Sequence, residues 1–328
     1  MHAALVPILA ASHGGAEATL ASIVAAATPL VYAVVGETIG EKAGVVNLSL
    51  EGSIMLSAMT GFGAAYGTKN LLVGFLAAMA VGIAFALIVA FSSIRLRLNQ
   101  IAVGFVLTLL GIELSSFLGN DLVGKVGQRV PPVAFPGLSK IPFLGPVLFH
   151  HNLSVYGSYV VLIVAGVFLY RTRRGLDLQG VGERPEAAFA RGIPVNRLRY
   201  VYTAIGGALV GVAGAAFSLD VKLGWREGST SNYGWIALAI VIFGGWNPLR
   251  AAFGAYLFGG LQVAALKLQP VFPRLAQVLP LMPFVLMILA LVLVYLPAFR
   301  RLGERHPAVR RVFAGDPPSA LGTAFQRE

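Results

Sequence analysis

Residues 71–94 read LLVGFLAAMAVGIAFALIVAFSSI, a run without one charged side chain, and this stretch decides the fold class. At about 1.5 Å per residue, a helix of this length crosses the roughly 30 Å hydrocarbon core of a bilayer. Membrane helices associate where small residues let their backbones approach. The run therefore predicts a membrane-spanning helix with one closely packed face. Its small residues recur at every fourth position, at Gly74, Ala78, Gly82, Ala86 and Ala90.

Similar apolar segments lie on both sides of this run, and together they predict about nine spans, within a range of eight to ten. Their predicted bounds, besides 71–94, are 18–36, 44–66, 100–118, 154–170, 200–219, 232–247, 250–267 and 276–298. Hydrophobic residues make up 57% of the 328 residues and charged residues 12%, whereas soluble domains carry about 25% charged residues. We predict an all-α, polytopic membrane helix bundle. The polar second and fourth spans are candidates for broken helices.

The 25 Lys and Arg residues indicate how the bundle is oriented. With nine spans the termini lie on opposite sides. An outside N-terminus then places about two thirds of the basic residues in the cytoplasm, as the positive-inside rule requires. We therefore predict an N-out, C-in transmembrane domain over 1–300, with an outer loop at 119–153 and a cytoplasmic loop at 171–199. The tail 301–328 is predicted to be basic, cytoplasmic and disordered.

Several kinds of chemistry are excluded by composition. The chain has no Cys, which removes disulfides, thiolate metal sites and cysteine nucleophiles. Residues 119–125 fit the phosphate-binding pattern G-x-x-x-x-G-K, but Val126 stands where a hydroxyl would bind magnesium. The net charge of +11 comes from loops between apolar segments, so it does not indicate a nucleic-acid partner. We expect no metal, no cofactor and no catalytic site in this chain.

Polar residues within the predicted spans are the candidates for a solute path. Glu51 and Glu113 are the only acidic residues inside those spans, and charge there is expensive. Glu51 either lines a water-filled path or is a structural carboxylate bonded to backbone amides. The uncharged remainder suits a neutral, hydroxyl-rich or amide-rich solute. The predicted path residues are Asn47, Ser49, Glu51, Thr108, Glu113, Asn232 and Gln262.

The cytoplasmic loop contains a short predicted helix. It follows Pro185, has Glu186 in its first turn, and ends at Arg191 and Gly192, an order that suits the helix dipole and its caps. A helix this short is unstable alone, so either its own bundle or another protein must hold it. The candidate residues for docking such a partner are Glu183, Arg184, Pro185, Glu186, Ala187, Ala188, Phe189, Arg191 and Gly192.

Three motifs carry a resemblance to a known family. GVGERPEAA at 180–188, followed by Gly192 and Ile193, resembles the coupling segment of bacterial ABC importer permeases. EKAGVVNLSLEG at 41–52 and IALAIVIFGGWNP at 236–248 resemble the early and late signatures of the family that serves simple sugars, nucleosides and branched-chain amino acids. The early motif is most similar to nucleoside-type permeases.

The resemblance implies a transport subunit in the bacterial cell membrane. Its partners would be a cytoplasmic ATPase that binds ATP and magnesium, a second identical or related permease, an extracytoplasmic solute-binding protein, and membrane lipid. The expected solute is a nucleoside or a simple sugar. The alternatives are a permease for branched-chain amino acids, an ion-coupled secondary carrier that uses Glu51 or Glu113, and a membrane-embedded enzyme.

Overall fold

The computed structural model describes residues 15–295 and 315–325. The described part is mainly helical. The helices are α1 (Ala16–Lys42), α2 (Leu50–Thr68), α3 (Leu71–Ile94), α4 (Gln100–Gly119), α5 (Leu144–Leu148), α6 (Leu153–Arg171), α7 (Arg173–Glu183), α8 (Pro185–Ala190), α9 (Val195–Ala216), α10 (Tyr233–Phe243), α11 (Pro248–Leu268) and α12 (Met282–Tyr295). A π-helical turn, Phe217–Val221, extends α9.

Asparagine side chains begin four of these helices. Asn70, Asn99, Asn152 and Asn247 precede α3, α4, α6 and α11, and each side chain accepts a hydrogen bond from a backbone N–H of the first helical turn. Such caps satisfy amide groups that have no partner within the helix. The start of each of these spans is therefore set by a local polar residue as well as by hydropathy.

Helix α1 lies at the centre of the bundle, and all of its residues from 27 to 41 are buried. It packs against α6, α9 and α11. The helix runs to Lys42, beyond the predicted end at residue 36, and Thr38 stabilises the added turn by donating to the Val34 carbonyl at 2.6 Å. The extension brings Glu37 and Glu41 into the interior of the bundle.

The predicted small-residue seams are confirmed where α3 crosses α9. A Cβ built on Gly82 would lie 2.7 Å from the backbone nitrogen of Gly211, and closer still to the carbonyl oxygen of Gly207. Helices α2 and α3 meet in the same way, since a Cβ on Gly74 would lie 2.6 Å from the Gly61 carbonyl oxygen. These helices pack backbone to backbone, as expected for small-residue membrane interfaces.

The second predicted span becomes helical only at Leu50 and is continuous from there, and the fourth is continuous throughout. Residues 43–49 are not helical, and α2 begins only at Leu50. Helix α4 is continuous over Gln100–Gly119, and Gly111 contacts the backbone of Gly52 closely enough that a Cβ would lie 2.7 Å away. Residues 43–49 are buried or half-buried, so the chain is already inside the bundle where α2 begins.

Among the described residues, six helices are long and apolar enough to cross a membrane. They are α1, α3, α4, α6, α9 with its π-helical turn, and α11. Helix α10 is only 11 residues long, and α12 is described over 14 residues. The predicted ninth span, 276–298, follows a 3-10 turn at Pro273–Leu275 and contains another at Leu279–Leu281, and its last residues lie outside the described part of the chain.

The two ends of the bundle carry different segments. One end, the loop face, is formed by α7, α8 and residues 43–46. The opposite end carries the region between α4 and α6, which includes α5 and an antiparallel pair of short strands, β1 (Pro132–Ala134) and β2 (His150–Asn152).

Residues 315–325, which we call the strap, lie on the loop face and differ from the predicted disordered tail. The backbone N–H of Ala320 donates to the Gly182 carbonyl at 2.9 Å, and that of Gly322 donates to the Gly44 carbonyl at 3.1 Å. Phe325 is only 9% exposed. These contacts join the strap to segments far away in the sequence, which is why composition alone did not reveal them. The remainder of the predicted tail lies outside the described residues.

Candidate functional site

The predicted coupling segment, residues 183–192, contains the last residue of α7, the whole of α8 and the turn that follows it. Thr172 caps α7 by accepting from the Gly175 N–H at 3.0 Å. Pro185 begins α8, where its missing N–H costs nothing because the first amides of a helix lack partners. Gly192 has φ +82°, and its N–H donates to the Phe189 carbonyl at 2.8 Å, which ends the helix. A residue with a Cβ is strained at that φ.

Most of the coupling segment is exposed on the loop face. Pro185 and Ala188 are buried against the bundle, and they hold the short helix in place. Phe189 remains 39% exposed although it is a large apolar side chain. The exposed members of the segment are Glu183, Arg184, Glu186, Ala187, Phe189, Arg191 and Gly192. The exposed surface of the segment is therefore mainly polar and includes the aromatic ring of Phe189.

Glu51 caps helix α10 inside the bundle. Its side chain is 3% exposed, and its carboxylate accepts from the backbone N–H of Asn232 and, at 2.7 Å, from that of Gly234. A carboxylate at a helix N-terminus satisfies amides that have no partner within the helix and interacts favourably with the helix dipole. Of the two roles left open for Glu51, this geometry is that of the structural carboxylate.

Tyr233 connects this cap to Gln262. The Gln262 amide donates to the Tyr233 hydroxyl at 2.7 Å, and the Tyr233 ring packs edge-on against Phe217 with centroids 4.4 Å apart. Asn232 is exposed and has φ +71°, and Gln262 is half-buried. Glu51, Asn232 and Gln262 thus belong to one group around the start of α10, with side-chain amides at its accessible edge.

Asn47, Ser49 and Thr108 form a second group around the non-helical residues 43–49. The Asn47 side-chain oxygen accepts from the Ser49 N–H at 3.1 Å and from the Ser49 hydroxyl. Thr108 donates to the Leu48 carbonyl at 2.8 Å. All three side chains are buried and engaged with the chain itself. They stabilise the conformation of the non-helical residues before α2.

Glu113 lies apart from both groups. It is exposed on α4, whereas Thr108, five residues earlier on the same helix, is 2% exposed. Five residues turn a helix by about 140°, so the two side chains point in widely different directions. The exposed side chains around Glu113 are apolar, among them Leu109, Leu110 and Phe117.

The acidic residues that sequence reasoning missed lie just beyond the predicted span ends. Glu37 is 2% exposed and accepts from the Asn47 N–H at 3.1 Å. Glu41 is 5% exposed and accepts from the indole N–H of Trp246. The two carboxyl groups lie one helical turn apart on α1, at the i, i+4 spacing that places residues on one face. That spacing was the signal in the sequence.

A cavity of about 300 Å³ lies at the opposite end of the bundle. One wall is the small-residue face of α1, and polar residues form the other, namely Arg129, His150, His151, Asn152 and Asp220. The Asp220 carboxylate accepts from the Asn152 amide. Burial lowers the pKa of His151, whose ring bonds the Val147 carbonyl at 2.8 Å, so the imidazole favours its neutral form. The cavity is polar on one side and apolar on the other.

The chain has the features of a polytopic membrane transport component: long apolar helices, a buried non-helical segment before α2, and a short helix exposed at one end. Residues 19–291 match the family described as branched-chain amino acid transport system / permease component. The chain belongs to this family of multi-pass membrane permeases. It is a permease subunit of an ABC transporter.

Three relatives have assigned transport roles. The chain is 40% identical to TsgC13, a provisionally assigned glucose ABC transporter permease of Haloferax volcanii, over 76% of this chain and 77% of that protein. It is 34% identical to the guanosine ABC transporter permease NupQ of Bacillus subtilis, over 81% and 88%. It is 30% identical to the nucleoside ABC transporter permease NupC of Lactococcus lactis, over 73% and 79%.

Proposed function

We propose that this permease belongs to an ATP-driven importer that takes up a nucleoside or a simple sugar. The observation that carries the proposal is the exposed coupling segment. Pro185 and Ala188 are buried in the bundle, while Glu186, Ala187 and Phe189 are exposed on the loop face. A permease without an ATPase of its own needs such a surface to receive work from another protein.

The loop face is proposed to be cytoplasmic. Arg171, Arg173 and Arg174 are exposed there, at the end of α6, and the positive-inside bias favours the cytoplasm for such a cluster. Nine spans follow if α2, α10 and α12 cross or enter the membrane together with the six long apolar helices. This arrangement places the N-terminus outside and the C-terminus inside.

The proposed partner at this surface is a cytoplasmic ATPase that binds ATP and magnesium. In its closed form it would displace α8 and shift the bundle between outward and inward access. Membership of an ABC permease family supports this over an ion-coupled carrier. The buried Glu51 supports it too, because its carboxylate is occupied by backbone N–H groups and is not free to bind a cation.

A second permease is proposed to cover the exposed face of α4. Glu113 lies there among exposed apolar side chains. A charge facing lipid costs about 2.5–3.5 kcal/mol near the bilayer centre by insertion scales. A second chain, identical or related, would give Glu113 a polar neighbour and would close the solute path between the two subunits.

The proposed solute contacts are Asn232 and Gln262, whose amides lie at the accessible edge of the α10 cap. Side-chain amides hydrogen-bond to hydroxyls and nucleobases, and they carry no charge that would select an ion. The buried side chains behind this path are proposed to hold its backbone in place. They are Asn47, Ser49, Glu51 and Thr108. An extracytoplasmic binding protein would deliver solute at the opposite end of the bundle.

The role of the coupling segment is tested by deleting residues 185–192. Solute uptake should be lost, while the amount of chain in the membrane stays at the wild-type level. A milder variant, Phe189→Asp, places a charge on the exposed apolar ring position, and Leu176→Asp changes an exposed side chain of α7 outside the segment as a control. Uptake that survives the deletion would refute the coupling role.

The substrate is tested with the purified transporter, reconstituted with its ATPase and binding protein. Guanosine, glucose and leucine are added separately, and ATP hydrolysis is measured. A nucleoside or glucose should stimulate hydrolysis. Stimulation by leucine alone would instead support the branched-chain amino acid alternative that the family description suggests.

A further inference from the structure

The strap, residues 315–325, joins segments of the loop face that are distant in sequence. Gly315 lies against Gly245, where a Cβ on Gly245 would come within 2.8 Å of the Gly315 Cα. At its other end Phe325 packs against Phe189 of α8, with ring centroids 5.6 Å apart. The strap therefore runs from the end of α10 to the coupling segment.

Hydrogen bonds attach the strap along its length. The N–H and hydroxyl of Ser319 donate to one carboxylate oxygen of Glu183, at 3.1 and 2.8 Å. Ala320 bonds Gly182 of α7, and Gly322 bonds Gly44 of the non-helical segment before α2. One short segment thus contacts both the coupling segment and residues 43–46.

The Phe325 ring is the apolar anchor of the strap. It belongs to a buried cluster with Val181, Ala188 and Val195, which come from α7, α8 and α9. Ala188 is one of the two residues that seat α8 on the bundle. The side of α8 that faces the bundle therefore rests partly on the strap.

The strap also covers a buried positive charge. Arg199 of α9 is 0% exposed, and its guanidinium donates to the Thr323 carbonyl of the strap at 2.8 Å. Its Nε and Nη2 atoms have no hydrogen-bond partner among the described residues. Burying an incompletely paired charge is unfavourable. Attachment of the strap therefore depends on its anchors, and loss of the Phe325 ring is expected to weaken it.

We propose that the strap is the link through which movement of α8 reaches residues 43–46 and the start of the solute path. Displacement of α8 would carry Phe325 with it, and the Gly322–Gly44 hydrogen bond would pass the displacement on. Beyond Gly44, the N–H of Val46 bonds the Gln100 side chain at 2.8 Å and that of Asn47 bonds Glu37. Phe325 is a positioning residue in this account, which rests on the proposed ATP-driven function.

The test uses the complete transporter in liposomes, with its ATPase and binding protein, and measures solute transported per ATP hydrolysed. The variants are Phe325→Ala, Phe325→Leu and a chain truncated after residue 314. Ala324→Ser is the matched control, because Ala324 is the exposed neighbour of Phe325 in the strap. Copurification of the ATPase is measured for each variant.

In the Phe325→Ala variant and the truncated chain we expect the ATPase to copurify and ATP hydrolysis to persist, while transport per ATP falls roughly tenfold, within the range by which single side chains alter coupling. Phe325→Leu and Ala324→Ser should behave as wild type. An unchanged ratio in both altered chains would overturn the proposal, and so would loss of ATPase binding, which would make the strap a docking element. If the wild-type complex itself shows no solute-stimulated hydrolysis, the proposed function fails and not the strap.

Discussion

The Glu51 carboxylate accepts a hydrogen bond from the backbone N–H of Gly234 at 2.7 Å, across 183 residues of sequence. The two backbones are close enough that a Cβ on Gly234 would clash with Glu51. Glu51 lies at the start of α2, directly after the non-helical residues 43–49, and Gly234 lies at the start of α10. One buried side chain therefore joins the start of α2 to the start of the short helix α10.

Replacing Glu51 should destabilise the bundle more than replacing an exposed acid. In Glu51→Ala the N–H groups of Asn232 and Gly234 lose their acceptor, and a buried, unsatisfied donor such as the Gly234 N–H costs about 1–3 kcal/mol. We expect the apparent Tm in detergent to fall by several degrees. Glu113→Ala removes an exposed carboxylate from α4 and is the control. Equal melting of Glu51→Ala and wild type would contradict the cap.

The crossing of α3 and α9 should not tolerate even a methyl group. Gly82→Ala would place a Cβ 2.7 Å from the Gly211 nitrogen, and overpacking of this kind costs about 1–3 kcal/mol. Gly67→Ala is the matched control, since a Cβ there meets nothing within 4 Å. Detergent extracts analysed by size-exclusion chromatography should show less monodisperse Gly82→Ala protein and unchanged Gly67→Ala protein. Indistinguishable elution profiles would argue against backbone contact at this crossing.

The six long apolar helices of the described chain could be predicted from the sequence because each depends on local composition, but two of their ends could not. The first and sixth predicted spans stop at 36 and 219, one residue before Glu37 and Asp220. The helix α1 and the π-helical turn after α9 continue through these acids. Glu41 is buried beside Trp246, and Asp220 beside Asn152. These hydrogen-bond partners lie far away in the sequence. Hydropathy depends only on local composition, so it does not distinguish a buried, hydrogen-bonded acid from an acid in a loop.

The candidate site could be predicted in part. The short helix α8 could be predicted because its signals are local: a proline at its start, a glycine after it, and charges ordered along the helix dipole. Polarity alone identifies the candidate path residues, and polarity does not reveal the direction in which a side chain points. Glu113 and Thr108 are both polar residues of α4, yet only Thr108 faces the interior. The strap could not be predicted, because its contacts with Gly44, Gly182 and Phe189 are entirely tertiary.

The proposed orientation can be tested with single cysteines, because the chain contains none. Val126 is 86% exposed at the opposite end of the bundle, and Ala187 is exposed on the loop face. In intact cells a membrane-impermeant maleimide should label Val126→Cys and leave Ala187→Cys unlabelled. Ala187→Cys should become labelled once the cells are permeabilised. The reverse pattern would place the coupling segment outside the cell and end the proposal of a cytoplasmic ATPase.

The C-terminal end of α8 should depend on glycine at position 192. Its φ of +82° lies in the left-handed region, where a residue with a Cβ costs about 1–2 kcal/mol. In Gly192→Ala the six-residue helix loses its favoured end, and since it cannot persist alone, Phe189 should leave its position on the loop face. We expect uptake to fall by about tenfold, because about 1.4 kcal/mol of lost preference corresponds to that factor, while the membrane level of the chain is unchanged. Gly180→Ala is the matched control: Gly180 lies in helical conformation in α7, a Cβ there meets nothing within 4 Å, and uptake should be retained. If both variants transport at the wild-type rate, the placement of α8 does not limit coupling.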